Sequence, residues 1–455
     1  MAKSAPMATI KRGTGILVER WLMLPIALGL AYALSHLWMY GYLPTPFFYE
    51  PLDTWMDWFN TAQFAHRPGA YDLWGTIYPP LSFIILKLTT YGQCYATNYY
   101  EPRDCDTYGI VALHLFYLIN IALTAKTLIK IDPRTALPRA FALTAGLPMV
   151  FALERGNIIL LCYTCLLLAY GPLLRSARWR WFFAACAINF KIYLIGTLFA
   201  QLLHRRWRWF EGAILATILV YLFSFAILGA GTPREIFNNI MYFSASFQAA
   251  SPLDLMYAST YKPLIYVLQG NGFPVLETLG SGPIESLIFW LPMIIYAVLA
   301  LIALAALAAA FRPGAVPMHR LIFLSIAAGL ISFEAGHYTT MLLILFIFME
   351  PWRGFGRIWS IVASYILCIP ADIPLFFVPP LVRESYLSGQ PVVVEFAVGI
   401  GPFIRPGLIL SMVVAMSLVT LREVWIQLQA DGWRAPWPWR RDPGTISAAP
   451  TAQAR

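Results

Sequence analysis

Charge is what this chain has least of. Only 12% of its 455 residues are Asp, Glu, Lys or Arg, while 59% are hydrophobic and 15% aromatic, at a mean hydropathy of +0.64. No soluble core needs that much apolar sequence, so a water-soluble domain is excluded. Cysteine is also scarce, with six residues, which excludes a small disulfide-built scaffold. No Asn-x-Ser/Thr sequon occurs, which favours a bacterial periplasm over a glycosylating lumen. No glycine-rich phosphate loop follows a predicted strand, which argues against nucleotide chemistry. No internal repeat stands out.

What is present is long apolar runs. Trp21 to Gly41, Gly109 to Ile129, Phe210 to Gly229, Ser286 to Phe311 and Pro406 to Val424 are each long enough to cross roughly 30 Å of hydrocarbon as helices. Backbone in lipid must satisfy its own hydrogen bonds, so the expected class is an all-α polytopic membrane protein. The first run is too long and uninterrupted for a cleaved signal peptide and reads as a retained signal anchor.

The net charge of +9 is distributed against a nucleic-acid role. Lys and Arg cluster at the N-terminus, at Lys126 to Arg139, Arg175 to Arg180, Arg205 to Arg208, Arg312 to Arg320, Arg353 to Arg357 and from Arg422 onward. Under the positive-inside rule these are cytoplasmic loops. Keeping every cluster inside gives about twelve membrane segments with both termini cytoplasmic. It places 23 of the 32 Lys and Arg inside and 16 of the 23 Asp and Glu outside, so the outer, periplasmic face is the place for carboxylate chemistry. The expected organisation is one membrane domain over residues 1–430, with outer loops at 42–108, 230–285 and 371–403. A disordered cytoplasmic tail is expected at 431–455.

Some segments are too short to cross fully. Between two arginine clusters, Arg180 to His204 must enter and return, which leaves arms of roughly 18 Å; Arg320 to Glu350 leaves arms of roughly 23 Å. Pro148 shortens or kinks the arm that leads to a third turn at Glu154-Arg155-Gly156-Asn157. The tips carry Glu154, Arg155, Asn157, Asn189, Lys191, Glu334 and His337, at membrane depth, where ionisable groups need a wet cavity or one another. A polar chamber open to the outside follows. The competing reading is one span from Arg180 to His204 with Lys191 at its centre, which reverses every later loop.

In the first outer loop, two interfacial helices are expected, one through Asp53 to Ala65 and one starting after Pro79-Pro80, where proline suits the first turn. Asp53 and Asp57, at i and i+4, would share a face of the first. Trp55, Trp58, Tyr71, Trp74 and Tyr78 fit either sugar stacking or the interfacial aromatic belt. Cys94 and Cys105 sit in an outer loop where a disulfide is plausible. Cys162-x-x-Cys165 lies inside a span and reads as packing.

Three stretches of this loop carry a resemblance: Leu52-Asp53-Thr54-Trp55-Met56-Asp57-Trp58, Pro68-Gly69-Ala70-Tyr71-Asp72, and Tyr78-Pro79-Pro80-Leu81. Their pattern resembles that of glycosyltransferase family 87, bacterial polyprenyl-phosphate-sugar transferases of the C-type membrane fold. Arg155-Gly156-Asn157, Phe190-Lys191-Ile192-Tyr193 and Gly336-His337-Tyr338 resemble later turns of the family, in order, although Ile192 stands where the family usually has proline. The resemblance implies inverting transfer of a sugar, mannose-like first and arabinofuranose next, from a polyprenyl phosphate to an acceptor hydroxyl of a glycolipid or glycan at the periplasmic face of a bacterial inner membrane. Such a reaction needs a carboxylate within about 3 Å of the acceptor hydroxyl. The family spacing to Tyr71 assigns Asp53 as that base, with Asp57 as the alternative.

A lipid phosphate leaving group gains charge as its bond breaks, and fixed cations stabilise it. Lys191, Arg155 and His337 are the candidates, with Lys262 and Arg383 behind them. Asn157, Glu334, Tyr78, Trp58 and Tyr71 are candidate substrate contacts. Each has a structural competitor: a snorkelling Lys191, an Arg155 paired with Glu154, a satisfied His337 at a helix end, an Asp53 acting as a cap. No cofactor is demanded, although Asp53 and Asp57 could share a divalent ion. A lipid or glycolipid transporter is the alternative class, since it too places charges at membrane depth; unlike halves and polar groups gathered toward one face argue against it. A non-catalytic scaffold leaves the tip charges unexplained. The bilayer and the two sugar substrates are the expected partners, and oligomeric state is not legible.

Overall fold

The computed structural model describes residues 12–48, 50–96, 102–246, 258–261, 264, 280–332, 336–377, 379–385 and 389–432. Helix α1 (Arg12–Tyr40) leads into a loop holding a 3-10 turn (Pro51–Asp53), α2 (Met56–His66), α3 (Pro80–Thr89) and the short α4 (Pro102–Cys105). Next come α5 (Thr107–Ile131), α6 (Ala136–Ala145), α7 (Leu147–Arg155), α8 (Ile159–Tyr170), α9 (Ala177–Phe190), α10 (Gly196–Leu203) and α11 (Trp207–Leu228). The second half holds α12 (Pro233–Ser246), α13 (Ser281–Phe311), α14 (Met318–Ser332), α15 (Thr340–Ile347) and α16 (Phe355–Leu367). Strands β1 (Pro374–Phe377), β2 (Leu381–Glu384), β3 (Pro391–Val394) and β4 (Ala397–Gly399) precede the last helix, α17 (Gly401–Asp431).

Among the described residues six helical stretches are long and apolar enough to cross a membrane: Gly15–Tyr40, Thr107–Ile131, Ala136–Arg155, Trp207–Leu228, Ser281–Phe311 and Gly401–Asp431. Only 11% of the most apolar window of Trp207–Leu228 is buried within the protein. Its Leu215, Leu219, Leu222 and Phe223 are all exposed. Apolar surface that continuous is stable against lipid, not water. The chain is a predominantly helical, multi-pass membrane protein. The departure from an all-α fold lies in the loop between α16 and α17, where β1 pairs with β4 and β2 with β3 in two antiparallel ribbons.

Sequence explains where the helices break. Gly146 separates α6 from α7: a Cβ there would stand 2.1 Å from the Ala142 carbonyl, and Pro148 occupies the first turn of α7, where a missing amide costs nothing. The Leu147 amide instead donates to the Cys368 carbonyl at 2.8 Å. At Lys191 the backbone becomes extended (φ −139°, ψ 102°) and α9 ends. A Cβ on Gly212 would lie 2.8 Å from the Trp181 ring, and Asn189 Nδ2 donates to the Thr217 carbonyl at 3.2 Å, so α9 and α11 run parallel. The chain between them must therefore turn back. A single span from Arg180 to His204 is ruled out, and Lys191 sits at a hairpin tip.

In the first outer loop α3 starts at Pro80 as expected, and Cys94 and Cys105 form a disulfide with Cα atoms 5.6 Å apart. The first interfacial helix is shorter than expected. α2 begins at Met56, and Asp53 belongs to a separate 3-10 turn, because Trp55 between them is left-handed at φ 65°. His66 stacks on Tyr95 at 4.9 Å and its Nε2 lies 2.8 Å from Thr90 Oγ1.

At the end away from the hairpin tips, charges interlock. Arg139 grips Glu19 through two 2.8 Å bonds and donates to the Phe348 and Glu350 carbonyls at 2.6 and 2.9 Å. The Tyr365 hydroxyl donates to Glu19 at 2.9 Å. Glu350 accepts from Arg320 at 2.7 and 2.9 Å and from Arg357 at 2.9 Å, and both arginines also pair with Glu423. This network joins α1, α6, α14, α16 and α17. Buried charges of this kind add little net stability over an apolar packing, but losing one partner strands the other.

Arg139→Leu is therefore expected to cost about 3–5 kcal/mol by leaving Glu19 buried and unpaired, with most of that loss recovered when Glu19→Leu is added. Thermal unfolding in detergent checks this, and equal stability of wild type and Arg139→Leu would refute it. A pH effect is expected in the first outer loop. Burial, with help from Lys87, holds the His66 pKa below its ordinary 6.5. The unfolded loop thus takes up a proton more readily than the folded one, so packing weakens as pH falls through the unfolded value. Hydrogen-exchange protection factors over residues 56–95, corrected for the intrinsic rate at each pH, should fall on acidification in the wild type, and less so in His66→Gln.

Candidate functional site

The site begins with the end of a helix. The last carbonyls of α7 have no partner within the helix. Gly156, left-handed at φ 67°, wraps the chain so that its amide reaches the Leu153 carbonyl and that of Asn157 reaches Ala152, both at 2.9 Å. The Glu154 carbonyl remains, and the Trp55 amide of the first outer loop donates to it at 2.7 Å. A Cβ on Gly156 would lie 2.7 Å from the Trp55 carbonyl oxygen, so glycine is needed both for the turn and for the approach.

This docking brings Asp53 and Asp57 to Arg155. Arg155 donates to Asp53 Oδ2 at 3.0 Å and to Asp57 Oδ1 at 2.8 Å, and its guanidinium lies 4.1 Å over the Phe48 ring. Asn157 Nδ2 donates to Asp57 Oδ2 at 2.8 Å while its Oδ1 accepts from the Ile159 amide at 3.0 Å, at the start of α8. The two aspartates converge although they do not share a helix face. Their side chains are 26% and 25% exposed, so both reach solvent. They differ in one respect: Asp57 has both oxygens bonded, whereas Asp53 Oδ1 accepts no hydrogen bond among the described residues. Arg155 stands between the carboxylates, where a shared divalent ion would have to sit. The described residues hold no group of three or more His, Cys, Asp or Glu placed to bind a metal.

Tyr78 links this carboxylate pole to a cationic one. Lys191 Nζ donates to the Tyr78 hydroxyl at 3.3 Å and lies 4.3 Å over its ring, and the Asn157 side chain also lies against that hydroxyl. Burial first, then the nearby Asp57 charge, raises the Tyr78 pKa, so the phenol stays protonated. Among the described residues Lys191 has no carboxylate partner, unlike Arg155. The Tyr78 carbonyl accepts from the Tyr71 hydroxyl at 2.8 Å, and Asn239 of α12 donates to the Tyr71 and Thr76 carbonyls at 2.9 and 3.0 Å. The second outer loop thus braces the segment that presents Tyr78.

Other expected contacts fall elsewhere. Trp58 is 1% exposed, packed near Phe116, and Tyr71 is 4% exposed, so both side chains are packed in the core. His337 is 1% exposed and bonded through Nε2 to the Leu367 carbonyl at 3.0 Å, while its Nδ1 is buried with no hydrogen-bond partner among the described residues. Arg383, on β2, pairs with Glu50 just before the 3-10 turn of Asp53, at the rim. Lys262 and Glu334 lie outside the described residues. Sequence reasoning missed Phe48 under Arg155 and the Glu50–Arg383 pair. The only available signal was charge arithmetic: two adjacent aspartates at membrane depth require a cation.

No family model, curated protein or solved structure matches this chain.

Gly156→Ala is expected to lose more than about 1–2 kcal/mol, the usual cost of a left-handed backbone at a residue with a Cβ, because it also collides with Trp55. Gly156→Asn tolerates the backbone but not the collision, so it should be destabilised as well. Full stability of the asparagine variant in a thermal melt would show that the approach of Trp55 is not tight.

Proposed function

We propose that this protein is a membrane-embedded glycosyltransferase of the family 87 type, with a C-type fold of about twelve segments. It takes a sugar from a polyprenyl phosphate and adds it, with inversion, to an acceptor hydroxyl of a glycolipid or glycan. The observation that carries this reading is that, among the described residues, one Asp53 oxygen accepts no hydrogen bond and the Lys191 ammonium has no carboxylate partner, the two poles being connected through Arg155, Asp57, Asn157 and Tyr78. An acceptor hydroxyl at Asp53 Oδ1 attacks the anomeric carbon, its proton passes to the carboxylate, and the bond from that carbon to the phosphate oxygen breaks. The departing lipid phosphate gains a negative charge, which the Lys191 ammonium offsets in a partly buried site. Asp57, Arg155 and Asn157 hold Asp53 in place.

The distribution of basic clusters supports a cytoplasmic interlocked end and a site on the periplasmic side of a bacterial inner membrane. The interlock also weighs against a transporter. Alternating access requires that end to open, and opening it would separate the buried charges of Glu19, Arg139, Glu350 and Arg320.

The test is transfer in lipid nanodiscs, with polyprenyl-phosphate mannose and arabinofuranose as donors and periplasmic-face lipid extract as acceptor. Asp53→Asn should lower kcat by about 10²–10⁴-fold. Lys191→Met should cost about 10²–10³-fold. Asp57→Asn should be milder and keep the wild-type pH profile. Unimpaired turnover by Asp53→Asn would move the base elsewhere, and flipping without transfer would replace the enzyme with a transporter.

A further inference from the structure

We infer that Glu154 accepts a hydrogen bond from a hydroxyl of the transferred sugar, which makes it a specificity-determining residue; the inference rests on the transferase reading above. Glu154 ends α7 beside Arg155, and its backbone carbonyl is the one that receives the Trp55 amide. Its side chain is unlike the other carboxylates of the site. The residue is 6% exposed, Oε2 is sealed without any hydrogen-bond partner, and no described residue donates to Oε1. Its neighbouring charges are Arg155, Asp57 and Asp53.

The nearest donors reach other carboxylates. Arg155 donates from Nη1 to Asp53 and from Nη2 to Asp57, and Asn157 donates from Nδ2 to Asp57, while neither residue donates to Glu154. A carboxyl group shut away with no donor is costly, and a leucine there would fill the space without that cost. A ligand hydroxyl supplies the missing donor. The transferase reading puts the sugar between the acceptor at Asp53 and the phosphate at Lys191, beside the turn that carries Glu154, and it is the component richest in hydroxyls. A buried acceptor left empty also rejects an analogue lacking the hydroxyl far better than an apolar pocket does.

The test crosses protein and substrate variants in nanodiscs. Wild type, Glu154→Leu and Glu154→Gln are compared on the intact donor, mannosyl or arabinofuranosyl, and on its monodeoxy analogues. In the wild type one deoxy position should cost about 10–100-fold in kcat/KM. Glu154→Leu should lose a similar factor on the intact sugar and nothing further on that analogue, while Glu154→Gln, which retains an acceptor, should fall between. Equal further losses in wild type and both variants at every position would overturn the assignment, as would wild-type transfer by Glu154→Leu. If the leucine variant does not fold, the same comparison with Glu154→Gln decides. Absence of transfer by the wild type with any donor overturns the transferase reading itself, and this inference with it.

Discussion

One backbone hydrogen bond organises the outer half of this protein: the amide of Trp55 on the carbonyl of Glu154. A helix ending in a membrane protein leaves carbonyls that water cannot easily reach, and the first outer loop supplies a donor. For the loop to come so near, Trp55 takes a left-handed backbone and Gly156 forgoes a side chain. The consequences spread from that contact. Asp53 and Asp57, on either side of Trp55, are carried to Arg155, one residue past the bonded carbonyl. Asn157 then reaches Asp57 from the start of α8. Tyr78 is brought to Lys191 by a separate brace from Tyr71 and Asn239, so the two poles meet although four chain segments contribute to them.

The two ends of the bundle use charge differently. At one end Glu19, Glu350 and Glu423 are each held by arginine, which fastens helices together. At the other, pairing is incomplete among the described residues: Asp53 keeps an oxygen, Lys191 has no carboxylate partner, and Glu154 keeps an unsatisfied carboxyl. Unsatisfied groups cost stability, and a fold that can complete one network but leaves the other open has a use for the open one. The two ribbons of β1 to β4 lie on the open side, where the Ser385 hydroxyl bonds to the Gly41 carbonyl at 2.7 Å and Thr45 to that of Ala397 at 2.9 Å. They tie the loop between α16 and α17 to the start of the first outer loop.

The helices and several site residues could be read from sequence because charge is conspicuous in an apolar chain. Asp53, Arg155 and Lys191 stand out for that reason, and the turn at Lys191 followed from keeping the arginine clusters on either side of it on one face of the membrane. What could not be read were partners distant in sequence. Arg155 is adjacent to Glu154, yet its partners lie 98 and 102 residues away, chosen by a turn that nothing around Trp55 advertises. Aromatic residues were equally ambiguous. Trp58 and Tyr71 have the composition of a sugar platform, and only packing shows them to be core. The ribbons escaped notice because strands of three or four residues are too short for alternation to register. His337 sits in a turn of the expected kind, but a carbonyl from α16 claims its ring.

The interlocked base has a bearing on supply. A bundle whose lower end is closed by Arg139 and Arg320 offers no vertical route, so anything reaching Asp53 arrives sideways from the upper leaflet or from the solution above it. On the proposed reading, a carrier lipid used here would already hold its cargo on that side. The work of bringing a polar headgroup across the hydrocarbon would then fall to a separate machine.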